Sequence, residues 1–194
     1  MSETRPDLSD QNVLISGAGR GLGRSLALHL SRCGAVVGVS DIDEETCRQT
    51  AADVRNAGGV AHAYPADLSS QAAFAGIAAA FAKNAGRIDA VVNNAAFLRY
   101  QPIDEVTENT VDLMLGAGFK SAVWGAQALL KHMDPERGGG IINMSSPVAF
   151  RGYPTTSIYS AIKGAVTALT RTLRGPSSAA SVRVRVVTAP FTAL

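Results

Sequence analysis

Tyr159 and Lys163 stand four residues apart, so any helix containing both presents a phenol and an ammonium group on one face. A neighbouring positive charge favours the phenolate, which makes such a tyrosine a readier proton carrier than one standing alone. Ser146 lies thirteen residues before Tyr159 and is itself preceded by Ser145. A serine hydroxyl beside the phenol would donate a hydrogen bond to a carbonyl oxygen. Together these side chains could move a proton while a hydride moves elsewhere. Tyr-x-x-x-Lys is a common spacing, however, and most such pairs are solvated neighbours on a helix. What surrounds this one decides its meaning.

Ile141 to Met144 is a short apolar run that suits a buried parallel strand, and Gly138-Gly139-Gly140 before it reads as a flexible turn. Ser145 and Ser146 then fall at the strand's carboxyl end, where open α/β sheets place ligands. A second apolar run, Val13-Leu14-Ile15, leads directly into Ser16-Gly17-Ala18-Gly19-Arg20-Gly21-Leu22-Gly23. Leu22, Leu26, Ala27 and Leu30 follow at helical spacing, so the glycines sit at a strand-to-helix turn. Glycines permit a tight turn and a close backbone approach, while a helix N-terminus offers free N–H groups to a pyrophosphate. The spacing Gly17, Gly21, Gly23 is Gly-x-x-x-Gly-x-Gly and differs from the commonest dinucleotide fingerprint.

The run from Ala35 to Ser40 ends at Asp41, about twenty residues beyond the glycines, where a carboxylate can accept hydrogen bonds from ribose hydroxyls. The same carboxylate would repel a 2′-phosphate, which favours NAD; Arg20 in the turn pulls toward NADP, which stays possible. Asp41 could instead cap the helix carrying Glu44 and Glu45, although Asp43 suits that role better. Helical patterning covers 43–57 and ends at Gly58-Gly59; Val60 to Tyr64 is a third strand, followed by Asp67-Leu68 in a loop. Ser69 can cap a helix whose apolar positions are Phe74, Ile77, Ala78 and Phe81. Asp89 to Val92 is a fourth strand, leading into Asn93-Asn94-Ala95-Ala96. Paired asparagines in a turn often serve the backbone alone. Two helices are expected over about 104–116 and 118–133, the second burying Phe119, Val123, Ala126, Leu130 and Met133, with Trp124 in packing or subunit contact. Alternating strands and helices predict an α/β fold, a Rossmann-type doubly wound parallel sheet, in a single domain over residues 1–194 with a loose segment at 1–10.

Composition sets outer limits. The chain has 194 residues, 46% of them hydrophobic, and a net charge of +2, which supplies no basic field for nucleic acid. No apolar run is long enough to span a membrane, and Met1 to Asp7 lacks the apolar core of a signal peptide. Cys33 and Cys47 form no redox or metal spacing, and His29, His62 and His132 are scattered, so free thiols, a cytoplasmic location and no metal are expected.

The order of these motifs, Ser-Gly-x-x-x-Gly-x-Gly, strand-ending Asp, Asp-Leu, Asn-Asn-Ala, Ser and Tyr-x-x-x-Lys, resembles the short-chain dehydrogenase/reductase family over residues 10–174. The resemblance implies a nicotinamide cofactor, a small alcohol or carbonyl substrate and reversible oxidation of the alcohol. It implies a cofactor turn at Gly17, Gly21 and Gly23, with Arg20 and Leu22 against the phosphates and the nicotinamide-side ribose. Asp41 and Ile42 would meet the adenosine ribose, Asp67 and Leu68 the adenine, and Asn93 and Ala95 the cofactor floor. Ser146 has the family's separation from Tyr159 and is chosen over Ser145. Tyr159 would be the general acid or base, and Lys163 would hold the nicotinamide ribose and lower the tyrosine pKa. Apart from the resemblance, Phe97, Leu98, Tyr100, Phe150 and Tyr153 could line an apolar pocket near the nicotinamide, although aromatic residues in loops as often serve packing. Helices at 118–133 and 157–174 would pair copies into a homodimer or homotetramer.

The chain departs from that pattern in three places. Gly118 stands where the family carries an asparagine supporting the lysine through a proton relay, and Asn-Asn-Ala-Ala replaces Asn-Asn-Ala-Gly. Gly175-Pro176 interrupts the helix after Arg174, since proline removes a hydrogen bond and clashes with the preceding turn. A strand-like run at Val182 to Val187 follows, then Ala189-Pro190-Phe191, and the chain stops at Leu194. The expectation is an atypical or truncated C-terminus over 175–194, lacking the substrate loop and last strand. These departures favour an alternative, a non-catalytic dinucleotide-binding, regulatory or structural protein of the same fold.

Overall fold

The computed structural model describes residues 6–173 and 182–188. Gly175-Pro176 and residues 189–194, on which part of the C-terminal expectation falls, lie outside the described residues. Six strands form one parallel sheet: β1 (Asn12–Ser16), β2 (Val36–Ser40), β3 (Val60–Ala63), β4 (Ala90–Asn93), β5 (Gly139–Ser145) and β6 (Val182–Thr188). Their order is β3-β2-β1-β4-β5-β6. The helices are α1 (Gly21–Arg32), α2 (Glu44–Asn56), α3 (Gln71–Ala85), α4 (Glu108–Leu115), α5 (Ser121–His132) and α6 (Ser157–Thr172).

Burial on both faces explains the near-continuous apolar strands. Val13 and Ile15 of β1, Val37 and Val39 of β2, and Val92 of β4 pack with Ala27 of α1 and with Cys47, Ala51 and Val54 of α2. The alternate positions Leu14, Val91 and Ile141 face the other way, onto Phe74, Ile77 and Phe81 of α3 and Ala126 and Leu129 of α5. Asn143 and Ser145, in phase with Ile141, meet α6 on that second face. The sheet reverses its winding between β1 and β4, which opens a crevice at the carboxyl ends of those strands.

Local chemistry sets most helix starts. Asp43 caps α2, its side chain accepting from the Thr46 N–H, as its position suggested. The cap of α3 is Ser70, not Ser69; Ser70 accepts from Ala73 N–H, while the Ser69 carbonyl accepts the Trp124 indole N–H at 3.2 Å. Trp124 packs against the core cluster of α3 and α5. The expected helix at 104–116 begins later, at Glu108, behind the cap of Thr107 and a short 3₁₀ turn at Ile103–Glu105.

Two further expectations change. Gly139 and Gly140 belong to β5, paired with β4 and β6. The turn falls at Gly138, whose φ of 72° suits glycine. Between α4 and α5 the chain makes one wide π-type turn, Gly116–Lys120, instead of breaking. The buried stripe of α5 is Ala122, Gly125, Ala126 and Leu129, leaving Leu130 exposed and Phe119, Val123 and Met133 only partly buried. At the N-terminus, Leu8 N–H donates to Cys33 O at 2.7 Å, and Asp10 pairs with Arg87 and Arg137, so residues 8–10 are tied to the body.

A Cβ at Gly125 would collide with the Asn93 amide, so α5 presses on β4 at that point. Gly125→Ala should lower stability by about 2 kcal/mol through overpacking, despite alanine's better helix propensity. Thermal unfolding checks this; a Tm equal to or above that of the parent would show that the contact is loose.

Candidate functional site

A cleft of about 800 Å³ opens along the carboxyl edge of the sheet. Gly17, Arg20, Gly21, Leu22, Asp41, Ile42, Asp67 and Leu68 line it toward β2, and Ser146, Tyr159 and Lys163 line it toward β5. Sequence-distant groups thus share one cavity.

The turn after β1 is built by close contacts. Gly17 takes φ 62°, and a Cβ there would lie 2.7 Å from Ala95 Cα. Gly21, at φ 54°, meets nothing within 4 Å; its glycine is required by the backbone alone. Gly23 does not line the cleft. It is buried at the start of α1, where a Cβ would run into the Gly17 carbonyl. Arg20 occupies the position before α1 without a side-chain cap, and no acidic residue lies in the helix's first turn. The first N–H groups and the positive end of the dipole therefore face the cleft without a competing carboxylate from α1.

Asp41 is buried at the end of β2 and braces this turn. Its Oδ2 accepts from Gly19 N–H at 2.9 Å and its Oδ1 from Asp43 N–H at 3.1 Å. Gly19 is tightly surrounded, since a Cβ there would collide with Thr46 Oγ1 and come within 3.0 Å of the Asp41 carboxyl. Thr50 Oγ1 donates to the Gly19 carbonyl at 3.0 Å. Gly19, Thr46 and Thr50 were not singled out in the sequence; a third glycine inside the turn was the available signal.

From the other side of the crevice, Asn94 secures the turn. Its Nδ2 donates to Ser16 O at 3.1 Å and Gly17 O at 2.8 Å. Ser16 Oγ accepts from the N–H groups of Asn94 and Ala95. Asn94 and Ala95 line the cleft, whereas Asn93 does not. Asn93 ends β4 with its amide turned into the core, donating to Asn143 Oδ1 at 2.8 Å and Ala122 O at 3.3 Å.

At the β5 end, Tyr159 sits in the first turn of α6 and packs with Met114, Val148 and Ile162. Lys163, one turn on, is 3% exposed. Its Nζ donates to Met144 O at 2.7 Å and lies 5.5 Å from the Tyr159 ring centroid. Ser146 is buried, lines the same cleft and accepts weakly from Val148 N–H at 3.4 Å. Burial lowers the Lys163 pKa from 10.5 to about 8. Tyr159 moves upward, through burial first and the nearby Tyr100 phenol second. The expected lowering of Tyr159 by Lys163 is therefore overturned in the protein alone, because desolvation of the phenolate prevails.

Of the aromatic and aliphatic residues expected to line a substrate pocket, Phe97 faces the cleft and Leu98 packs on the Tyr159 cluster. Tyr100, Phe150 and Tyr153 are exposed and do not line it. Asn109, Asp112 and Lys120, on α4 and the wide turn, form a polar part of the wall that the sequence did not announce.

A phenol, a buried ammonium and a serine hydroxyl at one end, with a glycine turn at a helix N-terminus at the other, can hold a dinucleotide and move a proton beside it. The sequence profile described as short chain dehydrogenase matches residues 11–193. The chain belongs to the short chain dehydrogenase family. Cyclopentanol dehydrogenase of Comamonas sp. is 31% identical over 180 residues, covering 93% of this chain and 72% of that enzyme. The structure of an NAD+-bound xylitol dehydrogenase superposes with a TM-score of 0.88 at 26% identity, over 94% of this chain and 70% of the other. A short chain dehydrogenase from Burkholderia cenocepacia in complex with NADP gives 0.87 at 26% identity, over 95% and 75%.

In this short chain dehydrogenase, the buried lysine makes stability depend on pH. Below pH 8 both folded and unfolded states hold the Lys163 proton, and the burial cost is fully present. Between about 8 and 10.5 the unfolded state holds a proton that the folded state has released, so stability rises with pH. Lys163→Met should therefore exceed the parent in stability at pH 7 by on the order of 3 kcal/mol, the gap narrowing toward pH 10. Denaturant unfolding at both pH values tests this. A gap that stays constant would show that Lys163 does not titrate in that window.

Proposed function

We propose that the protein is an NAD-dependent oxidoreductase that interconverts a secondary alcohol and its carbonyl compound. The observation that carries this reading is the sharing of one cleft by the glycine turn and the Ser146, Tyr159 and Lys163 side chains. The turn fits a dinucleotide. A side chain is missing at Gly21, whose surroundings are open to a pyrophosphate, and the N-terminus of α1 is uncapped. Asp41, buried at the cleft wall, favours NAD because a 2′-phosphate would meet its carboxylate. Exposed Arg20 leaves NADP as the second possibility.

The nicotinamide ring, when bound, accepts hydride from the carbinol carbon or returns it. Ser146 donates a hydrogen bond to the substrate oxygen. Tyr159 hands its proton to that oxygen during carbonyl reduction and takes one from it during alcohol oxidation. Burial keeps Tyr159 protonated, so the protein alone is set as the donor. Lys163 supplies the positive charge that stabilises the phenolate once the proton has moved, and it would hold the nicotinamide ribose. Asp67 and Leu68 would flank the adenine, and Ala95 the cofactor floor. The outer face that carries exposed Leu130 on α5 suits pairing of copies into a homodimer or homotetramer through the helices at 118–133 and 157–174.

One feature favours the non-catalytic alternative, the absence of a side chain at Gly118 in the turn before α5. Titration with NADH and NADPH, followed by nicotinamide fluorescence, and turnover of cyclopentanol and xylitol separate the two readings. NADH should bind more tightly than NADPH. Tyr159→Phe should lower turnover about a hundred-fold or more while NADH binding stays within a few-fold. Binding without turnover, unchanged by that substitution, would establish the binding protein instead. Preference for NADPH would overturn the cofactor assignment, and binding of neither would overturn the dinucleotide site.

A further inference from the structure

The seam between α6 and β5 is unusually polar for a helix on a parallel sheet. Ser145 Oγ and Thr167 Oγ1 lie 2.8 Å apart, both buried. Thr167 Oγ1 donates to the Lys163 carbonyl at 2.8 Å, and Ser145 Oγ reaches the same oxygen at 3.3 Å. One arrangement of protons satisfies all three contacts: Thr167 donates to the carbonyl, and Ser145 shares its proton between Thr167 Oγ1 and that carbonyl. Further along the seam, Asn143 Nδ2 donates to Thr170 Oγ1 at 2.9 Å, and Thr170 Oγ1 donates to Val166 O at 2.7 Å. Asn143 and Thr170 have no exposed surface.

Consecutive residues of β5 therefore hold Lys163 at both ends. Met144 O accepts from its ammonium group, and Ser145 Oγ reaches its backbone carbonyl. Apolar packing resists sliding of a helix along a strand through shape but without directed bonds. Hydrogen bonds fail within a few tenths of an ångström. One residue of axial slip moves a helix about 1.5 Å, enough to break the Ser145–Thr167 and Lys163–Met144 contacts together. Tyr159 rides on the same helix, and Ser146 follows Ser145 on the chain, so the same slip would part the phenol from the serine.

We propose that Ser145 and Thr167 are positioning residues whose paired hydroxyls fix the axial register of α6 on β5 and so set Tyr159 and Lys163 against Ser146. The catalytic consequence rests on the oxidoreductase reading; the structural one does not. A threonine that bonds to the carbonyl four residues back is common in helices and can serve only to satisfy its own buried hydroxyl. In that case its loss would cost stability and nothing else.

Ser145→Ala, Thr167→Val and the double variant separate these cases, with Thr167→Ser as the conservative control. Two readouts are needed. The first is turnover, resolved into kcat and KM for the alcohol with NAD. The double variant should lose about ten-fold or more in kcat, with KM changed less than three-fold. The second is the titration of Lys163, followed by NMR of protein carrying 13C at the lysine ε position. The chain has four lysines, Lys83, Lys120, Lys131 and Lys163, and loss of a signal in Lys163→Met assigns the fourth.

The Lys163 midpoint, about 8 in the parent, should rise by about a unit in the double variant as water reaches a loosened ammonium. Thr167→Ser should restore both values. Unchanged kcat and unchanged titration, with only a lowered Tm, would overturn the proposal. A parent protein without turnover would defeat the oxidoreductase reading alone, since the titration still decides the register. Should the double variant fail to fold, the comparison of Thr167→Val with Thr167→Ser decides in the same way.

Discussion

Contact between two turns at the middle of the sheet is the constraint on which the cleft depends. β1 pairs with both β2 and β4, and the connections leaving β1 and β4 depart toward opposite faces. The loops must part there, yet their backbones also touch, because Gly17 lies against Ala95 with no room for a Cβ. Ser16 Oγ and the Asn94 amide convert that proximity into directed bonds across the crevice. Asp41 adds a third brace from β2 through Gly19 N–H. The glycine turn is thus held from both neighbouring strands, and its free N–H groups point where a ligand can use them. Such preorganisation removes the ordering cost from binding.

At the other end of the cleft, burial acts on two groups in opposite directions. It pushes Tyr159 up and Lys163 down, in each case toward the neutral form. The free site is therefore reluctant to create charge, and a phenolate forms only with help. The Lys163 ammonium, held on Met144 O, is a positive charge at a fixed place 5.5 Å from the centre of the Tyr159 ring. A dry environment that resists charge separation also strengthens the attraction between charges once they exist. One cause, exclusion of water, raises the cost of the resting charge and the value of its stabilisation.

Much of this was legible in the sequence. Apolar runs gave the strands, and Asp43 marked its helix by capping chemistry. That Tyr159, Lys163 and Ser146 line one cleft was legible because helix spacing and strand ends are local signals. The misses share a different origin. The stripe of α5 was displaced because most of its buried positions are small residues, Ala122, Gly125 and Ala126, which carry little hydrophobic signal. Asn93 and Asn94 exchanged roles because β4 ends between them; the last strand residue keeps the sheet's alternation, and the next does not. Gly19, Thr46 and Thr50 escaped notice because their contacts join two elements separated by about thirty residues, a tertiary fact without local periodicity. The direction of the Tyr159 shift was missed for a similar reason. Proximity to Lys163 was visible in the spacing, but depth of burial was not.

Gly118 gains a physical explanation from its surroundings. A Cβ at that position would lie 2.8 Å from Ile162 Cγ2, so the wide turn brings its backbone directly against α6. Ile162 is buried and immediately precedes Lys163 on that helix. The volume that a side chain at 118 would occupy is taken by an isoleucine methyl group, and the missing polar group is thereby replaced with apolar surface. A hydrogen-bonding side chain cannot be restored at 118 without first moving Ile162, because close-packed interiors do not absorb an added side chain at such separations. Burial accounts for the direction of the lysine's shift. The bond from its ammonium to the Met144 carbonyl offsets only part of that desolvation. The close approach of the wide turn to α6 makes glycine necessary at 118 through packing.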